Sequence, residues 1–416
     1  MTSIVVERSG PLDGELPIVG AKNSALKLLA ATILAPGRHR LHSVPAITDV
    51  SIMCRLLEVM GAHTSIDGGT VTVDIPDELD PRAPHDLVEQ MRASIVVLGP
   101  LLGRFGRAQV AMPGGDDFGH RPIDLHLAGL QSLGVVFSQD HGVIDARAEV
   151  LLGDRVVLEY PSVGATENLL MASVLAKGTT TIDNAAREPE IADLATFLNR
   201  MGGRISGVGT STLVVEGVEE LAPTEHTVVP DRIQAATYLS ALAVAGGELS
   251  LLGARHEHMD MVIAKLTGMG MRVSNDSAGL WAAMPRRGRA VDVATLPYPG
   301  VATDYKPFLV AGLSVADGVS IVTENVFQGG RWKYVAELVR MGADIRVEGH
   351  HAVVRGVERL SGAPVRAHDI RAGAALVCAA LGADGQTVIS DADHIDRGYE
   401  DLVGALRSVG ATIERT

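Results

Sequence analysis

An internal repeat constrains this chain more than any other feature of its sequence. A helical pattern that ends in a glycine step occurs six times, in LLEVMGA, LQSLGVV, FLNRMGG, LTGMGMR, LVRMGAD and LRSVGAT. A second series of six apolar helices, from AKNSALKLLAATILAPG to DIRAGAALVCAALGADG, runs in step with the first. Each terminal glycine is expected to end its helix in the left-handed region, and the β-branched run behind it indicates a strand. The pattern predicts six units, each with two helices and several short strands.

The six units divide most simply into two domains of three units. A chain of 416 residues exceeds what one hydrophobic core usually organises. The boundary is expected near residues 227–233, where the first helix of the fourth unit begins. The predicted fold class is therefore α/β with two domains.

Composition excludes several classes of function. A net charge of −14 and a pI near 5.4 argue against a nucleic-acid binder. Cys54 and Cys378 lie in apolar helical stretches, which favours buried reduced thiols. The N-terminus has no secretion-signal pattern, and the apolar runs are too short to span a bilayer. We therefore expect a cytosolic protein without membrane insertion.

Basic residues occupy an unusual place in the predicted helices. The N-terminus of a helix attracts anions, so a basic side chain there is locally unfavourable. Seven such residues nevertheless lie at or just before predicted helix starts: Lys22, Arg92, Arg121, Arg232, Arg331, Arg371 and Arg397. In an acidic protein this pattern favours a cationic cleft between the domains that binds phosphate and carboxylate groups. Structural salt bridges are the alternative, which we favour for Arg232 because it follows Asp231.

Two other segments carry glycine beside polar residues. In AMPGGDDFGHRPIDLH, three glycines surround Asp116 and Asp117, as in a hinged lid or a solvated loop. In SVGATEN, Ser162 and Gly164 could hold a phosphate or simply cap a helix.

The remaining polar clusters have ordinary interpretations. Asp49, Asp193 and Asp260 are interpreted as helix caps. His256, His258 and Asp260 have no second ligand set at the spacing of a zinc site, so no metal site is predicted.

Several segments, in order along the chain, resemble one known family. They are GAKNSALKLLAATIL, the loop MPGG through RPIDLHL, PSVGATEN, NAAREPEI, PDRI, ATD, TENVF, DIRAGAALV and HIDRGYE. Together they resemble the UDP-N-acetylglucosamine 1-carboxyvinyltransferases, which are enolpyruvyl transferases. The resemblance implies two inside-out, barrel-like α/β domains of three repeated units each. It places the first at residues 20–229, with a catalytic loop at 112–122, and the second at residues 1–19 plus 230–416.

The resemblance also implies an activity. The enolpyruvyl group of phosphoenolpyruvate is transferred to the 3-hydroxyl of UDP-N-acetylglucosamine and phosphate is released, which is the first committed step of peptidoglycan synthesis. No metal or organic cofactor is implied. The oligomeric state stays open.

Catalytic roles are implied for Asp116, Asp304, Lys22 and Arg397. Lys22 and Arg397 would bind the phosphate and carboxylate of phosphoenolpyruvate, with Arg121 on the phosphate and Arg371 facing the carboxylate. Asn23 and Asp304 would hold the acceptor hydroxyl, with Asp304 as the general base. Val326 would contact the sugar through its backbone, and Arg331 would support the cleft. The implied uridine-diphosphate contacts are Arg92, Arg121, Pro122, Ile123, Asp124, Leu125, Ser162, Val163 and Gly164.

The sequence departs from the family pattern in three places. Asp116 stands where most members carry cysteine; a carboxylic acid with a raised pKa can donate the proton to C3. Because a carboxylate forms no thioether with fosfomycin, we expect insensitivity to that epoxide. Tyr160-Pro161 replaces a lysine that some members use near the diphosphate. The segments ATDYKP and VFQGGRWKY differ beside the acceptor site, which leaves the acceptor open.

Two alternatives follow. The first is an enolpyruvyl transferase that acts on UMP or another uridine nucleotide in nucleoside-antibiotic biosynthesis. The second is an inactive paralogue that binds a UDP-sugar, although a binder needs neither an acid nor a base. Transfer to shikimate 3-phosphate is disfavoured, because PSVGATEN and RPIDLH belong to the UDP-sugar branch.

Overall fold

A computed structural model describes residues 2–114, 122–275, 277–327, 329 and 331–416. The strands of this part of the chain are β1 Ile4–Glu7, β2 Leu12–Pro17, β3 Gly37–His42, β4 His63–Asp67, β5 Thr70–Ile75, β6 Arg82–Ala83, β7 Arg107–Ala111, β8 Val136–Asp140, β9 Val143–Arg147, β10 Arg155–Val157, β11 Thr179–Asp183, β12 Arg204–Ser206, β13 Thr212–Glu216, β14 Glu225–Thr227, β15 Gly247–Leu252, β16 Arg272–Asn275, β17 Gly279–Met284, β18 Val293–Ala294, β19 Val319–Thr323, β20 Asp344–Glu348, β21 His351–Arg355, β22 Pro364–Arg366, β23 Gln386–Ser390 and β24 Ile413–Arg415.

The α-helices of the same residues are α1 Lys22–Ala31, α2 Thr48–Val59, α3 His85–Val88, α4 Leu98–Phe105, α5 Asp124–Ser132, α6 Val163–Ser173, α7 Pro189–Arg200, α8 Arg232–Ala245, α9 Asp260–Met269, α10 Lys306–Leu313, α11 Lys333–Arg340, α12 Ile370–Ala380, α13 Asp393–Asp396 and α14 Leu402–Ser408. Short 3₁₀ helices occur at Thr32–Leu34, Arg92–Val97, His256–His258 and Thr303–Tyr305. No helix of the described residues is both long and apolar enough to cross a membrane.

The repeat predicted from the sequence is confirmed by its glycines. All twelve have positive φ, between 66° and 113°, a region that costs glycine little and other residues more. They are Gly37, Gly61, Gly106, Gly134, Gly178, Gly202, Gly247, Gly270, Gly318, Gly342, Gly385 and Gly410. The strand predicted after each helix is also present.

Every repeat builds the same kind of four-stranded sheet. In the described residues there are six such sheets, and in each a first strand pairs in parallel with the strand after the buried helix. In five of the six sheets a hairpin then adds two antiparallel strands, as β20 and β21 do beside β19. In the sixth sheet, β1 and β24 take these places. The fold class is therefore α/β, as predicted.

Three of the sheets are completed by strands that are distant in sequence, and in one of them β2 pairs in parallel with β15. The N-terminal strand β1 lies between β23 and β24, with Ile4 opposite both Ile389 and Arg415. Strand β14 pairs in parallel with β3, so that Glu225 lies opposite Arg40. Each set of three repeats is thereby closed by strand pairing between its two ends.

The chain separates into two compact units. The first, which we call the C-terminal unit, contains the residues up to Val19 together with Pro230–Thr416; the other, the N-terminal unit, lies within Gly20–Val229. Each unit has its own aliphatic core. In the C-terminal unit, α8, α10 and α12 pack against one another in the centre, and every residue of α10 and α12 is buried. The helices therefore lie inside the unit and carry the apolar runs seen in the sequence.

Some local expectations were wrong. The last of the six repeats has two short helices, α13 and α14, where one was predicted. Gly398 lies between them. In the second repeat, residues 92–97 form a 3₁₀ helix before α4 begins. Pro100 has no N–H with which to bond back to residue 96, which weakens an α-helix there. Cys54 and Cys378 are buried free thiols, as predicted.

Candidate active site

In the C-terminal unit, the three central helices begin with buried cations. Arg232 is the first residue of α8, Lys306 the first of α10 and Arg371 the second of α12, and their exposed fractions are 6%, 0% and 4%. A positive charge at this end of a helix opposes the helix dipole. Burial adds a desolvation cost unless carboxylates lie close by. The repeats therefore require acidic partners at the same ends of the helices.

Asp304 is the acidic residue at the centre of this arrangement. It lies in the 3₁₀ turn Thr303–Tyr305 that leads into α10, and its carboxylate accepts a hydrogen bond from Arg331 Nη1 at 2.8 Å. Its side chain is 29% exposed, whereas that of Arg331 is 4% exposed. Burial alone would raise the pKa of Asp304, but Arg331 and Arg371 hold it well below its usual range. Asp304 is therefore an ionised carboxylate that solvent can reach.

Arg331 is shared by two carboxylates. Its Nη2 lies 3.5 Å from Asp369 Oδ1, and Asp369 also accepts the backbone N–H groups of Arg371 and Ala372 as the cap of α12. Although burial would lower the pKa of Arg331, Asp369 and Asp304 raise it. Arg331 also has φ of 48°, which is uncommon for a residue other than glycine. Such a backbone conformation persists only where the surrounding contacts impose it.

Arg371 is held by Tyr399. Its Nη1 lies 3.5 Å from the Tyr399 hydroxyl, and its guanidinium lies over the ring at 5.8 Å from the centroid. The Tyr399 hydroxyl also bonds to Thr237 Oγ1 at 2.6 Å. Arg397 is two residues before Tyr399 and half-buried. Through Tyr399, Arg371 therefore contacts the same segment of the chain that contains Arg397.

Arg397 itself corrects one prediction. It follows the last residue of α13 and precedes α14 by several residues, so it does not lie at a helix start. A cation at the C-terminal end of a helix suits the helix dipole. The remaining described members of the basic set lie at or just before helix starts as predicted.

Lys306 and Glu324 form a fully enclosed ion pair. Lys306 Nζ lies 2.8 Å from Glu324 Oε2, and neither side chain is exposed. The ammonium also lies over the Trp332 ring, 3.8 Å from its centroid. Glu324 accepts the backbone N–H of Val326 at 2.8 Å. The backbone of Val326, implied above as a sugar contact, is thus fixed by this carboxylate.

Arg232 packs against tyrosines. Its Nη1 donates to the Tyr305 hydroxyl at 2.9 Å, and its guanidinium lies 5.6 Å from the ring centroids of both Tyr298 and Tyr305. Asp231, which precedes it, caps α8 by accepting the N–H groups of Ile233 and Gln234.

In the N-terminal unit, Lys22 begins α1 and is 7% exposed. Its Nζ lies 2.8 Å from Asp49 Oδ2. The interpretation of Asp49 as an ordinary cap was therefore incomplete, since its buried carboxylate is paired with a cation.

Asp193 was also misinterpreted: it lies inside α7 and accepts from Ser24 Oγ at 2.5 Å. Asn23 follows Lys22, and its carbonyl accepts from Lys27 Nζ at 2.9 Å.

A second group of residues in this unit surrounds His126. Gly99 N–H donates to Asn168 Oδ1 at 2.7 Å, which leaves Asn168 Nδ2 to donate to His126 Nδ1 at 2.8 Å. Burial and, to a lesser extent, the charge of Arg92 lower the pKa of His126 to about 4. The ring is therefore neutral and carries its proton on Nε2.

The same ring faces the start of α6. A Cβ placed on Gly164 would meet His126 Cε1 at 2.8 Å and Nε2 at 2.9 Å, so only glycine fits there. Ser162 caps α6 by accepting the N–H of Ala165 at 3.3 Å. His126 thus brings the stretch Pro122–Leu125, of which Pro122 and Asp124 are exposed, beside Ser162–Gly164.

Arg92 begins the 3₁₀ helix Arg92–Val97, and its Nη1 donates to the Pro113 carbonyl at 3.2 Å. Burial lowers the pKa of Arg92. Asp116 and Arg121 lie outside the described residues, so their roles stay predictions.

Sequence reasoning missed the acidic partners and the supporting residues. Asp369, Glu324 and Tyr399 were not singled out, although Asp369 stands before a helix as capping residues do. The pairing of Glu324 with Lys306 had no signal, because the two are 18 positions apart and neither is in a known local motif. Among the described residues, no three His, Cys, Asp or Glu side chains are grouped so as to hold a metal ion.

Comparison with known proteins agrees with this architecture. Residues 6–406 match the family model "EPSP synthase (3-phosphoshikimate 1-carboxyvinyltransferase)". A UDP-N-acetylglucosamine 1-carboxyvinyltransferase of Mycobacterium bovis is 50% identical, over 99% of this chain and 98% of that protein. Another of the same name, from Nocardia farcinica, is 50% identical over 97% of this chain and 96% of its own length.

Solved structures give the same fold. The enolpyruvyl transferase NikO from Streptomyces tendae superimposes with a TM-score of 0.89 at 26% identity, over 100% of this chain and 99% of that chain. An EPSP synthase from Acinetobacter baumannii gives a TM-score of 0.76 at 18% identity over both full chains, which concerns the fold alone.

Fold and relatives define a transferase of the carboxyvinyl-transferring, or enolpyruvyl-transferring, class. Within it, the chain belongs to the family of the UDP-N-acetylglucosamine 1-carboxyvinyltransferases.

Proposed function

We propose that this protein transfers the enolpyruvyl group of phosphoenolpyruvate to the 3-hydroxyl of UDP-N-acetylglucosamine and releases phosphate, as the first committed step of peptidoglycan synthesis. The observation that carries the proposal is Asp304, a partly exposed carboxylate kept ionised by the buried guanidiniums of Arg331 and Arg371. A general base must be deprotonated and must be reachable by its substrate. Asp304 meets both requirements.

The reaction needs an acid and a base. The acceptor hydroxyl loses its proton to Asp304 as its oxygen bonds to C2 of phosphoenolpyruvate, while C3 gains a proton from Asp116. The resulting tetrahedral ketal then loses phosphate and one proton, which restores the double bond. A carboxylate with a low pKa is a weak base, so proton transfer to Asp304 accompanies formation of the C–O bond and does not precede it.

The basic residues would stabilise the anionic groups. We assign Lys22, Arg121 and Arg397 to the phosphate of phosphoenolpyruvate, and Arg371 to its carboxylate. Lys22 Nζ already forms an ion pair with the Asp49 carboxylate at 2.8 Å, so the dianionic phosphate has to compete with that carboxylate. Lys22 therefore enters the reaction as a buried cation oriented by Asp49.

The acceptor is assigned to the residues that the family resemblance implies. We assign the uridine diphosphate to Arg92, the stretch 121–125 and Ser162–Gly164, the sugar to the Val326 backbone, and the acceptor hydroxyl to Asn23 and Asp304. Support comes from His126, which fixes Ser162–Gly164 beside Pro122–Leu125. We expect no metal or organic cofactor, and we place the reaction in the cytosol, where phosphoenolpyruvate and nucleotide sugars are produced.

UMP or another uridine nucleotide is the competing acceptor. It was raised by the unusual segment ATDYKP, whose Tyr305 and Lys306 could reshape the sugar pocket. Their side chains are 2% and 0% exposed and point at Arg232 and Glu324. Both side chains are therefore engaged with other residues of the C-terminal unit, and neither contact favours UMP over the UDP-sugar.

The test is phosphate release from phosphoenolpyruvate with UDP-N-acetylglucosamine, with UMP and with no acceptor. We expect release with the UDP-sugar only. Release with UMP alone would refute the proposed acceptor. No release with either would favour a protein that binds the UDP-sugar without catalysis.

A further inference from the structure

We infer that Lys306 is a positioning residue, which acts through Glu324 to hold the Asp304 turn and the Val326 backbone in register for the acceptor sugar. The inference rests on the proposed function. It concerns a residue of the segment ATDYKP whose side chain is fully buried.

Glu324 connects segments that are separated along the chain. Its Oε1 accepts from Thr295 Oγ1 at 2.7 Å and from the N–H groups of Val326 and Phe327 at 2.8 and 3.3 Å. Its Oε2 accepts from Thr303 Oγ1 at 2.8 Å and from Lys306 at 2.8 Å. Thr303 immediately precedes Asp304. One carboxylate therefore fixes both the base-bearing turn and the sugar-side backbone.

This set of contacts requires an ionised carboxylate. Two carboxylate oxygens offer about four lone-pair directions, and all the partners of Glu324 are donors. A protonated carboxyl group would turn one accepting site into a donor, for which Lys306 and the N–H groups of Val326 and Phe327 offer no acceptor. Because Glu324 is fully buried, it stays ionised only if a positive charge lies close by.

Lys306 supplies that charge. Burial would raise the pKa of Glu324, but Lys306 and the neighbouring donors hold it below its usual value. Burial lowers the pKa of Lys306 itself to about 8, and Glu324 opposes this shift. Other charged groups that act on the ammonium include Arg331, before α11, and Asp369, at the cap of α12. Both belong to the network around Asp304.

The repeat explains why a cation occurs at this place. Lys306 begins α10 as Arg232 begins α8, and Arg371 is the second residue of α12. Asp304 precedes Lys306 by two residues, as Asp369 precedes Arg371. In this repeat Asp304 binds Arg331 instead of capping its helix. Glu324 is the carboxylate that pairs with the cation of this helix start.

The test compares K306M, the double variant K306M/E324Q and the control K265M. Lys265 donates to the Asp292 carbonyl on the exposed side of the same unit. In K306M we expect kcat/KM for UDP-N-acetylglucosamine to fall about ten-fold or more, with KM for phosphoenolpyruvate within about two-fold of wild type. The double variant leaves no uncompensated charge, and its glutamine still accepts from Val326, so most of the loss is recovered. K265M should match the wild type.

The pH profile separates positioning from simple stability. In the wild type, kcat/KM for the acceptor should decline as pH rises through about 8, where Lys306 loses its proton. The double variant should lack that decline. A K306M enzyme that melts earlier but keeps wild-type kcat/KM and pH profile would overturn the inference. A double variant no better than K306M would do so as well.

Amide hydrogen exchange on the ligand-free protein tests the inference independently of activity. In K306M, the amides of Val326, Phe327 and residues 303–305 should exchange at least about five-fold faster, because those amides belong to the two segments that Glu324 holds. K265M should leave them unchanged. If wild type releases no phosphate with any acceptor, the proposed function fails, and exchange alone decides on Lys306. Unchanged exchange in K306M overturns the positioning role even when the transferase is active.

Discussion

Replacing Arg331 by methionine should expose how much of the C-terminal unit depends on one guanidinium. Arg331 is 4% exposed and forms ion pairs with Asp304 at 2.8 Å and with Asp369 at 3.5 Å. Removing one partner of a buried ion pair costs about 3–5 kcal/mol. Asp304 is 29% exposed and can be hydrated, and Asp369 keeps two backbone N–H donors. We therefore expect the R331M variant to lose roughly 2–4 kcal/mol of its free energy of unfolding.

Urea unfolding followed by tryptophan fluorescence is the suitable measurement. Trp281 and Trp332 are the two tryptophans of the chain and belong to the C-terminal unit, so the signal reports on that unit alone. The control is R359M, because Arg359 pairs with Asp384 at 3.6 Å with both side chains about half exposed. Such a pair should contribute no more than about 1 kcal/mol.

The effect of R331M should also depend on pH. In the wild type the pKa of Asp304 is well below its usual range, so its stabilising contribution is lost only at strongly acid pH. Without Arg331 the pKa rises, and the folded variant binds a proton at higher pH than the wild type does. The difference in free energy of unfolding between wild type and R331M should thus shrink as pH falls from 7 to 4.5, by at most about 1.4 kcal/mol per pH unit. A deficit below about 1 kcal/mol, or one that grows toward acid pH, would refute the reasoning.

Three further substitutions test the site. D304N should lower kcat about 10²–10⁴-fold, because the carboxamide cannot take the hydroxyl proton; a loss below ten-fold in stopped phosphate-release assays would exclude Asp304 as the base. G164A should raise KM for the UDP-sugar and cost about 1–3 kcal/mol by urea unfolding, since its methyl group overlaps the buried His126 ring. The control G10A, with nothing within 4 Å, should behave as wild type, and equal effects of both would contradict this reading of the ring contact. D116C should gain a fosfomycin adduct by mass spectrometry and be inhibited, whereas an adduct on the wild-type protein would contradict the predicted insensitivity.

Local patterns predicted the repeat because their physical causes are local. Gly37 and Gly385, like the other ten glycines of the series, have positive φ because a helix ends there, and a side chain would strain that conformation. The strands that follow were read from β-branched runs such as VSIVT, now β19. The family resemblance added candidate roles for Asp304, Arg331 and Arg371, since those residues lie in segments with matching neighbours.

Other features could not be predicted from local pattern. Strand β1 reads as an ordinary strand, and only its pairing with β23 and β24 shows that it completes the last sheet. ATDYKP raised doubt about the acceptor, but nothing in those letters shows that Lys306 is enclosed with Glu324. Asp49 was taken for a helix cap because its pairing with Lys22 joins two helix starts that are 27 positions apart.

The sequence by itself determined where the helices end, how often the unit repeats and which residues carry charge, since sterics and periodicity act over a few residues. The tertiary structure decided which charges are buried and which partners they have. Desolvation makes each of those cations costly alone, so the position of Arg331 has meaning only together with Asp304 and Asp369. Those three residues meet because packed repeats bring the starts of α10, α11 and α12 together, and no local stretch of sequence contains that information.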